Sequence, residues 1–173
     1  SSGEIELKTA IEDSYIDGKI TVRMPIDQKN DSKTAAIYQN GAFLGNFPVK
    51  EENGSKYVEI ETETAGEFTY ITLNAKTSGA NIGGKLYATV EDALSEIENG
   101  QTVTLTKNVS GTVTIDKPVT FTVVPNGHTV NIVPGTGYKI TKNGDVYTVT
   151  ESSDTAILLK RLIPWLGIIF LFV

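Results

Sequence analysis

The sequence predicts a mainly β protein: a small antiparallel β-sandwich, followed by a helix-capped unit that is either β-helix-like or a compact β module. Three observations support this fold class. Short segments in which apolar residues alternate with polar or β-branched residues recur along the chain. Asn-Gly pairs, which supply the positive φ angles of tight hairpin turns, separate several of these segments. One stretch, residues 86–99, instead carries apolar residues at helical spacing.

The first part of the chain predicts the sandwich. Residues 4–75 contain six strand-like segments, which read EIELKTAI, KITVRMPI, TAAIYQN, GAFLGNFPV, KYVEIETE and EFTYITLNA. Turns are expected between them at Asp17-Gly18, Asn40-Gly41, Asn53-Gly54 and Ala65-Gly66. Alternation in the last two segments predicts four buried core residues: Val58, Ile60, Ile71 and Leu73.

The single helix is predicted from its cap and its apolar stripe. Residues 75–84, AKTSGANIGG, are rich in small residues and predict a linker or long loop before it. Thr89 fits the N-cap position, with Asp92 completing a capping box. Asn99-Gly100 is expected to end the helix. The stripe is expected to cover the open end of the sheet that starts at Thr102, and it comprises Val90, Ala93, Leu94 and Ile97.

The carboxylates of this helix are expected to form a solvated face rather than an active site; they are Glu91, Asp92, Glu96 and Glu98. Strands follow as TVTLT, TVTID, VTFTVV and TVNIV, and YKITKNGDVYTVT predicts a hairpin around Asn143-Gly144. Residues 101–150 supply about two coils of sheet, so this part is either a β-helix fragment or a compact relative that closes in another way. The expected divisions are 1–77, the sandwich; 78–151, the helix-capped unit; and 152–173, a hydrophobic tail.

Composition narrows the classes of function. The formal net charge of −6 leaves no basic surface for nucleic acid, so nucleic-acid binding is not expected. The chain has no cysteine, which excludes disulfides and zinc–thiolate sites. No catalytic residues and no cofactor-binding residues are predicted, because Asp116 and the single histidine, His128, are best explained as turn residues. We therefore expect that the chain is not an enzyme.

Two weaker binding hypotheses come from particular residues. Asp27, Asn30 and Asp31 offer hard oxygen ligands for calcium, although the Gly and Glu that a calcium-binding EF-hand loop needs are replaced by Ser32 and Tyr38. A solvated loop is the alternative interpretation. Exposed aromatic rings can stack on sugars, and the candidate glycan contacts are Tyr57, Tyr87, Tyr138 and Tyr147. Half-buried packing is the alternative for these strand tyrosines.

The tail ends in the apolar run LIPWLGIIFLFV, which is shorter than the roughly 17–25 residues of a membrane-spanning helix and is interrupted by Pro164. Three interpretations compete: a non-native extension, a truncated membrane-associated segment, and a strand buried in a core or an oligomer contact. Membrane association is expected only through this tail.

Residues 85–150 carry a resemblance to a known family. The segment YATVEDALSEIENGQTVTLTKNVSGTVTIDKPVTF resembles the helix-capped start of right-handed β-helix (pectin-lyase-like) modules in bacterial extracellular proteins. The matching positions are Tyr87, Thr89, Ala93, Leu94, Gly100, Val103, Leu105, Ile115 and Pro118. Residues 4–75 are similar to small β-sandwich modules of secreted multidomain proteins.

This resemblance implies a bacterial protein that is secreted or at the cell surface. The implied function is a non-catalytic structural or adhesion-type module, whose partners are neighbouring domains of a longer protein, a glycan or a host protein. The alternative is a carbohydrate-binding accessory domain of a larger polysaccharide-degrading enzyme.

Overall fold

A computed structural model describes residues 2–7 and 15–152 of the chain. Residues 8–14, the end of the first predicted strand segment, and residues 153–173, nearly all of the predicted tail, lie outside the described residues. The described part is mainly β with one short helix, which confirms the predicted fold class.

Strands β1 to β7 occupy the first half of the chain: Ser2–Leu7, Tyr15–Ile26, Thr34–Gln39, Ala42–Pro48, Lys50–Glu52, Ser55–Thr64 and Gly66–Leu73. The second half has two short strands, β8 and β9, then helix α1 and strands β10 to β15. Their bounds are Ala80–Ile82, Lys85–Tyr87, Val90–Glu96, Thr102–Leu105, Thr112–Ile115, Val119–Val124, Asn131–Pro134, Tyr138–Asn143 and Val146–Glu151.

The first seven strands form the sandwich. One antiparallel sheet has the order β1-β7-β3-β4, and the other has the order β2-β6-β5. Every second residue of a strand points to the same face, and the apolar inner faces of the two sheets pack against each other. The shared core comprises Val22, Met24, Ile26, Ala35, Ile37, Val58, Ile60, Phe68 and Tyr70.

Three of the four predicted sandwich core residues are buried, namely Val58, Ile60 and Leu73. Ile71 is only half-buried, so its prediction was wrong. The inward face of β7 instead carries Phe68 and Tyr70, because the larger aromatic rings fill the space between the sheets.

The predicted turns have mixed outcomes. Asn40-Gly41 and Asn53-Gly54 both have positive φ at each residue, as a type I′ hairpin turn requires. The turn expected at Asp17-Gly18 is instead an irregularity inside β2, where the register with β6 shifts. At Ala65-Gly66 the chain passes from β6 in one sheet to β7 in the other.

The remaining strands and α1 form a second unit, called here the C-terminal unit. Strand β10 pairs parallel to β12, with Thr102 opposite Thr122, and β11 pairs parallel to β13, with Thr112 opposite Asn131. Strands about twenty residues apart therefore stack in register, so the chain winds through two coils. The sequence predicts either a β-helix-like or a compact β unit here, and these parallel pairs lie beside the antiparallel strands of the same unit.

Antiparallel strands close the wound sheet at both sides. Strand β8 pairs with the free side of β10, and β15 pairs with the free side of β12, giving the order β14-β15-β12-β10-β8-β9. The predicted hairpin around Asn143-Gly144 is β14–β15. The prediction of a linker at 75–84 was wrong in part, since Ala80 and Ile82 face inward in β8 and the chain turns at Gly83-Gly84.

Helix α1 packs its apolar stripe into the core of the C-terminal unit. Val90, Ala93, Leu94 and Ile97 are all buried there. Thr89 is the N-cap and forms the predicted capping box with Asp92. The helix was expected to cover the sheet edge that starts at Thr102, but β8 pairs with that edge instead. The helix covers the core of the C-terminal unit. The helix ends at Glu96, just before Asn99-Gly100.

Candidate functional site

The sandwich meets the C-terminal unit at a junction centred on Tyr38 and Asp92. The Tyr38 hydroxyl, on β3, donates a hydrogen bond of 2.6 Å to Oδ2 of Asp92 in the first turn of α1. The same Oδ2 accepts the backbone N–H of Thr89, while the Thr89 hydroxyl accepts the backbone N–H of Asp92. One carboxylate oxygen therefore caps the helix and holds the sandwich against it.

Burial shapes the electrostatics of this pair. Asp92 is only 5% exposed, so the expectation that all four helix carboxylates are solvated was wrong for this residue. Its burial raises its pKa, although the hydrogen bonds from Tyr38 and Thr89 oppose the rise. Burial also raises the pKa of Tyr38, and the hydrogen bond to Asp92 raises it further. Tyr38 therefore acts as a permanent donor to the carboxylate near neutral pH.

Aromatic and amide contacts extend the junction beyond this bond. Phe43, on β4, packs partly buried against the core of the C-terminal unit. Its ring centroid lies 5.7 Å from that of Tyr38 and 6.5 Å from that of Tyr87. The Asn46 side-chain amide donates a 2.7 Å hydrogen bond to the backbone carbonyl of Leu86. The two units are therefore joined by apolar packing and by two hydrogen bonds, Tyr38 to Asp92 and Asn46 to Leu86.

A second group of contacts holds β9 against α1 behind the junction. Glu96 Oε2 accepts the Tyr87 hydroxyl at 2.8 Å and pairs with the Lys85 ammonium. Burial favours a higher pKa for Glu96, but Lys85 and Tyr87 outweigh it and hold the pKa below its usual range. Glu96 is therefore a structural anion in a partly covered position, not a free acid on a solvated face.

Two of the four candidate glycan tyrosines are buried, so they offer no open ring face to a sugar. Tyr87 is 3% exposed and Tyr147 is 7% exposed. The Tyr147 ring stacks on Phe121 at 5.5 Å, because both side chains point into the wound core. This corrects the expectation that these rings are accessible.

Tyr57 and Tyr138 are half-buried, so they remain candidate glycan contacts. The Arg23 guanidinium lies 4.7 Å from the centre of the Tyr57 ring. Tyr138 packs against the core of the C-terminal unit. The structure does not bring these two rings together in one site.

The loop with the calcium candidates is held by its own hydrogen bonds. Asp27 Oδ1 accepts the backbone N–H of Lys29, and Asn30 Oδ1 accepts that of Ser32, so both side chains form turns. The Lys56 ammonium donates hydrogen bonds to the backbone carbonyls of Gln28 and Asn30. Asp31 is exposed and also lies on this loop. Within residues 2–7 and 15–152, no group of three Asp, Glu, His or Cys side chains is arranged to hold a metal.

Asp116 and His128, which the sequence predicts to be turn residues, lie in segments that connect strands. Asp116 is exposed and directly follows β11. His128 is half-buried, and its Nδ1 lies 3.3 Å from Oδ1 of Asn108. Both residues therefore lie between strands rather than within them.

Comparisons with protein-family models, curated proteins and solved structures give no match for this chain. Over the residues that the structure describes, no helix is long and apolar enough to cross a membrane.

Proposed function

We propose that this chain is a non-catalytic structural module of a bacterial cell-surface or secreted protein, and that it holds neighbouring domains of a longer protein at a fixed geometry. The observation that carries the proposal is the junction. A spacer must resist bending where its parts meet, and here one buried carboxylate joins a strand of the sandwich to the cap of the helix.

Apolar contact at the junction supports the same role. Phe43 belongs to the sandwich but packs on the core of the C-terminal unit, so separating the units would expose the ring to water. Bending at the junction would also leave Asp92 without its tyrosine partner. Losing a hydrogen bond to a buried charged group costs about 1.5–3 kcal/mol, which disfavours a hinge.

Distances between spin labels test the fixed geometry. The chain contains no cysteine, so introduced cysteines are unique labelling sites. The pair Thr21→Cys and Thr150→Cys places exposed labels on opposite sides of the junction. The control pair Thr114→Cys and Thr150→Cys lies within the C-terminal unit. We expect the two double electron–electron resonance distributions to be equally narrow. A distribution across the junction several times broader than the control would refute the structural role.

The proposed location has its own test. Antibodies against this chain, applied to intact cells of the source bacterium, should label the cell surface, or should detect the protein in the medium if it is secreted. Signal that appears only after the cells are permeabilised would contradict the location while leaving the junction result unaffected.

The alternative function is a carbohydrate-binding accessory domain, and of its four candidate tyrosines Tyr87 and Tyr147 do not support it because both are buried. A glycan array with the full chain tests it directly. Micromolar binding that is lost on replacing Tyr57 or Tyr138 would favour the accessory domain over the structural module.

A further inference from the structure

A cleft of about 950 Å³, lined by both polar and apolar side chains, opens beside the junction. The β2–β3 loop forms one wall, the segment after β7 forms the second, and the β8–β9 turn forms the third. Its volume falls within the range of roughly 300–1,000 Å³ that is typical of small-ligand sites. The cleft therefore draws on both units of the chain.

Neutral hydrogen bonds fix the two loops that carry the charges of the cleft. The Asn30 side-chain amide donates to the Thr72 hydroxyl at 2.8 Å, and that of Asn74 donates to the Ser32 hydroxyl at 3.3 Å. Asn74 Oδ1 also accepts the backbone N–H of Lys76. Ser32 and Thr72 are buried, so the loops are held in place before any ligand arrives.

Four lysines line this cleft, and three of them lie on its two loops: Lys29, Lys33 and Lys76. All three are exposed, and none has a side-chain hydrogen bond or ion pair with another residue in the described part of the chain. Two other charged residues line the cleft. Lys85 is already paired with Glu96, and Asp31 contributes one negative charge. A site with excess positive charge is unexpected in a chain whose formal net charge is −6.

The rest of the lining fits a sugar better than a bare ion. The hydroxyl group of Thr34 can exchange hydrogen bonds with ring hydroxyls. Pro48 and Leu86 give apolar surface for the C–H face of a sugar ring. Combined with unpaired ammonium groups, this lining matches a polymer that carries both hydroxyls and negative charges.

We infer that this cleft binds a segment of an acidic polysaccharide, with Lys29, Lys33 and Lys76 contacting its anionic groups. The inference goes beyond the structural role and does not depend on it, because a spacer at a cell surface can also hold a charged glycan. Failure of this binding would leave the junction geometry untouched.

Binding of defined polymers to the full chain tests the inference. The probes are polygalacturonate for carboxylate groups, dextran sulfate for sulfate groups, and unmodified dextran as the neutral control. Affinity electrophoresis should show retardation by at least one charged polysaccharide and none by dextran. The charged probe that binds more tightly identifies which anionic group the cleft prefers. Salt should weaken binding, because the Debye screening length falls from about 10 Å at 0.1 M to about 3 Å at 1 M salt.

Charge-matched variants locate the site. The triple substitution K29Q/K33Q/K76Q should weaken binding by about tenfold or more, since three exposed ion pairs each contribute a modest free energy. The control K19Q/K139Q/K142Q changes the net charge equally at exposed lysines that do not line the cleft, and it should bind within about twofold of the unmodified chain.

A substitution in the opposite direction guards against loss of folding. Asp31→Asn removes the negative charge from the cleft and should tighten binding about two- to threefold. The inference is overturned if neither charged polysaccharide binds, or if both triple variants lose affinity equally. Binding of poly-glutamate as tight as that of the polysaccharides would overturn it in favour of an acidic peptide.

Discussion

Replacing Tyr38 by phenylalanine removes the hydroxyl that links the two units and leaves the ring in place. That hydroxyl donates a 2.6 Å hydrogen bond to Asp92, whose side chain is buried. A hydrogen bond to a charged group contributes about 1.5–3 kcal/mol, and here its loss leaves the buried Asp92 carboxylate with the backbone N–H of Thr89 as a donor. We therefore expect Tyr38→Phe to lower the free energy of unfolding by about 2 kcal/mol.

Urea unfolding of the full chain, followed by circular dichroism, measures this loss. With a slope of about 2 kcal/mol/M, the midpoint should fall by about 1 M. Tyr57→Phe is the matched control, because Tyr57 is also half-buried but its hydroxyl has no hydrogen bond within the described residues. The control should stay within about 0.5 kcal/mol of the unmodified chain. Equal midpoints for the two variants would refute the view that Tyr38 joins the units through Asp92.

Three further predictions concern the C-terminal unit and its cap. Leu94→Ala should cost about 2–5 kcal/mol of unfolding free energy because Leu94 is 2% exposed, whereas Leu44→Ala, at a residue 46% exposed, should cost under about 0.5 kcal/mol; equal losses would contradict the buried stripe. Gly79→Ala should lower the thermal midpoint because a Cβ at 79 would lie 2.7 Å from the Ala88 carbonyl oxygen. The loss should exceed that of Gly83→Ala, where a Cβ meets no atom within 4 Å and only the φ of +57° opposes an L side chain; the reverse order would be inconsistent with this packing. Burial raises the pKa of Asp92 above its ordinary value of 3.8, so its contribution to stability is fully present below that pH and is lost as pH rises through the folded pKa. Asp92→Asn should remove this component from the pH dependence of urea midpoints, and an unchanged profile would argue against a perturbed Asp92.

The fold could be predicted largely because local patterns agree with it. Alternation placed Val58 and Ile60 in the sandwich core, and helical spacing placed Leu94 in the core of the C-terminal unit. The choice of face failed on β7, where Ile71 and Phe68 lie on opposite sides. Both faces of that strand contain apolar residues, so the period alone does not decide which one is buried.

The candidate sites were harder to predict because they depend on contacts between distant segments. Tyr38 and Asp92 are 54 positions apart, and the capping box around Asp92 gave no sign of a partner on another unit. The lysines of the cleft come from the β2–β3 loop and from the segment after β7. In the sequence each lysine is typical of a solvated surface charge, and only the fold brings these lysines to the same cleft.

The tyrosines illustrate the opposite error. Tyr87 and Tyr147 lie in short strands, where a tyrosine is equally typical of a half-exposed ring and of a buried one. The structure buries both in the core of the C-terminal unit, where Tyr147 stacks on Phe121. Ring accessibility therefore depends on packing between segments that are distant in the sequence.

Residual dipolar couplings of the backbone amides test the central claim that the two units form one rigid body. Couplings from the sandwich strands β2 to β7 and from strands β8 to β15 should fit a single alignment tensor, equal in size and direction for both sets. Two tensors of different size, or a clearly smaller one for either unit, would show independent motion and contradict a junction fixed by Tyr38, Phe43 and Asp92.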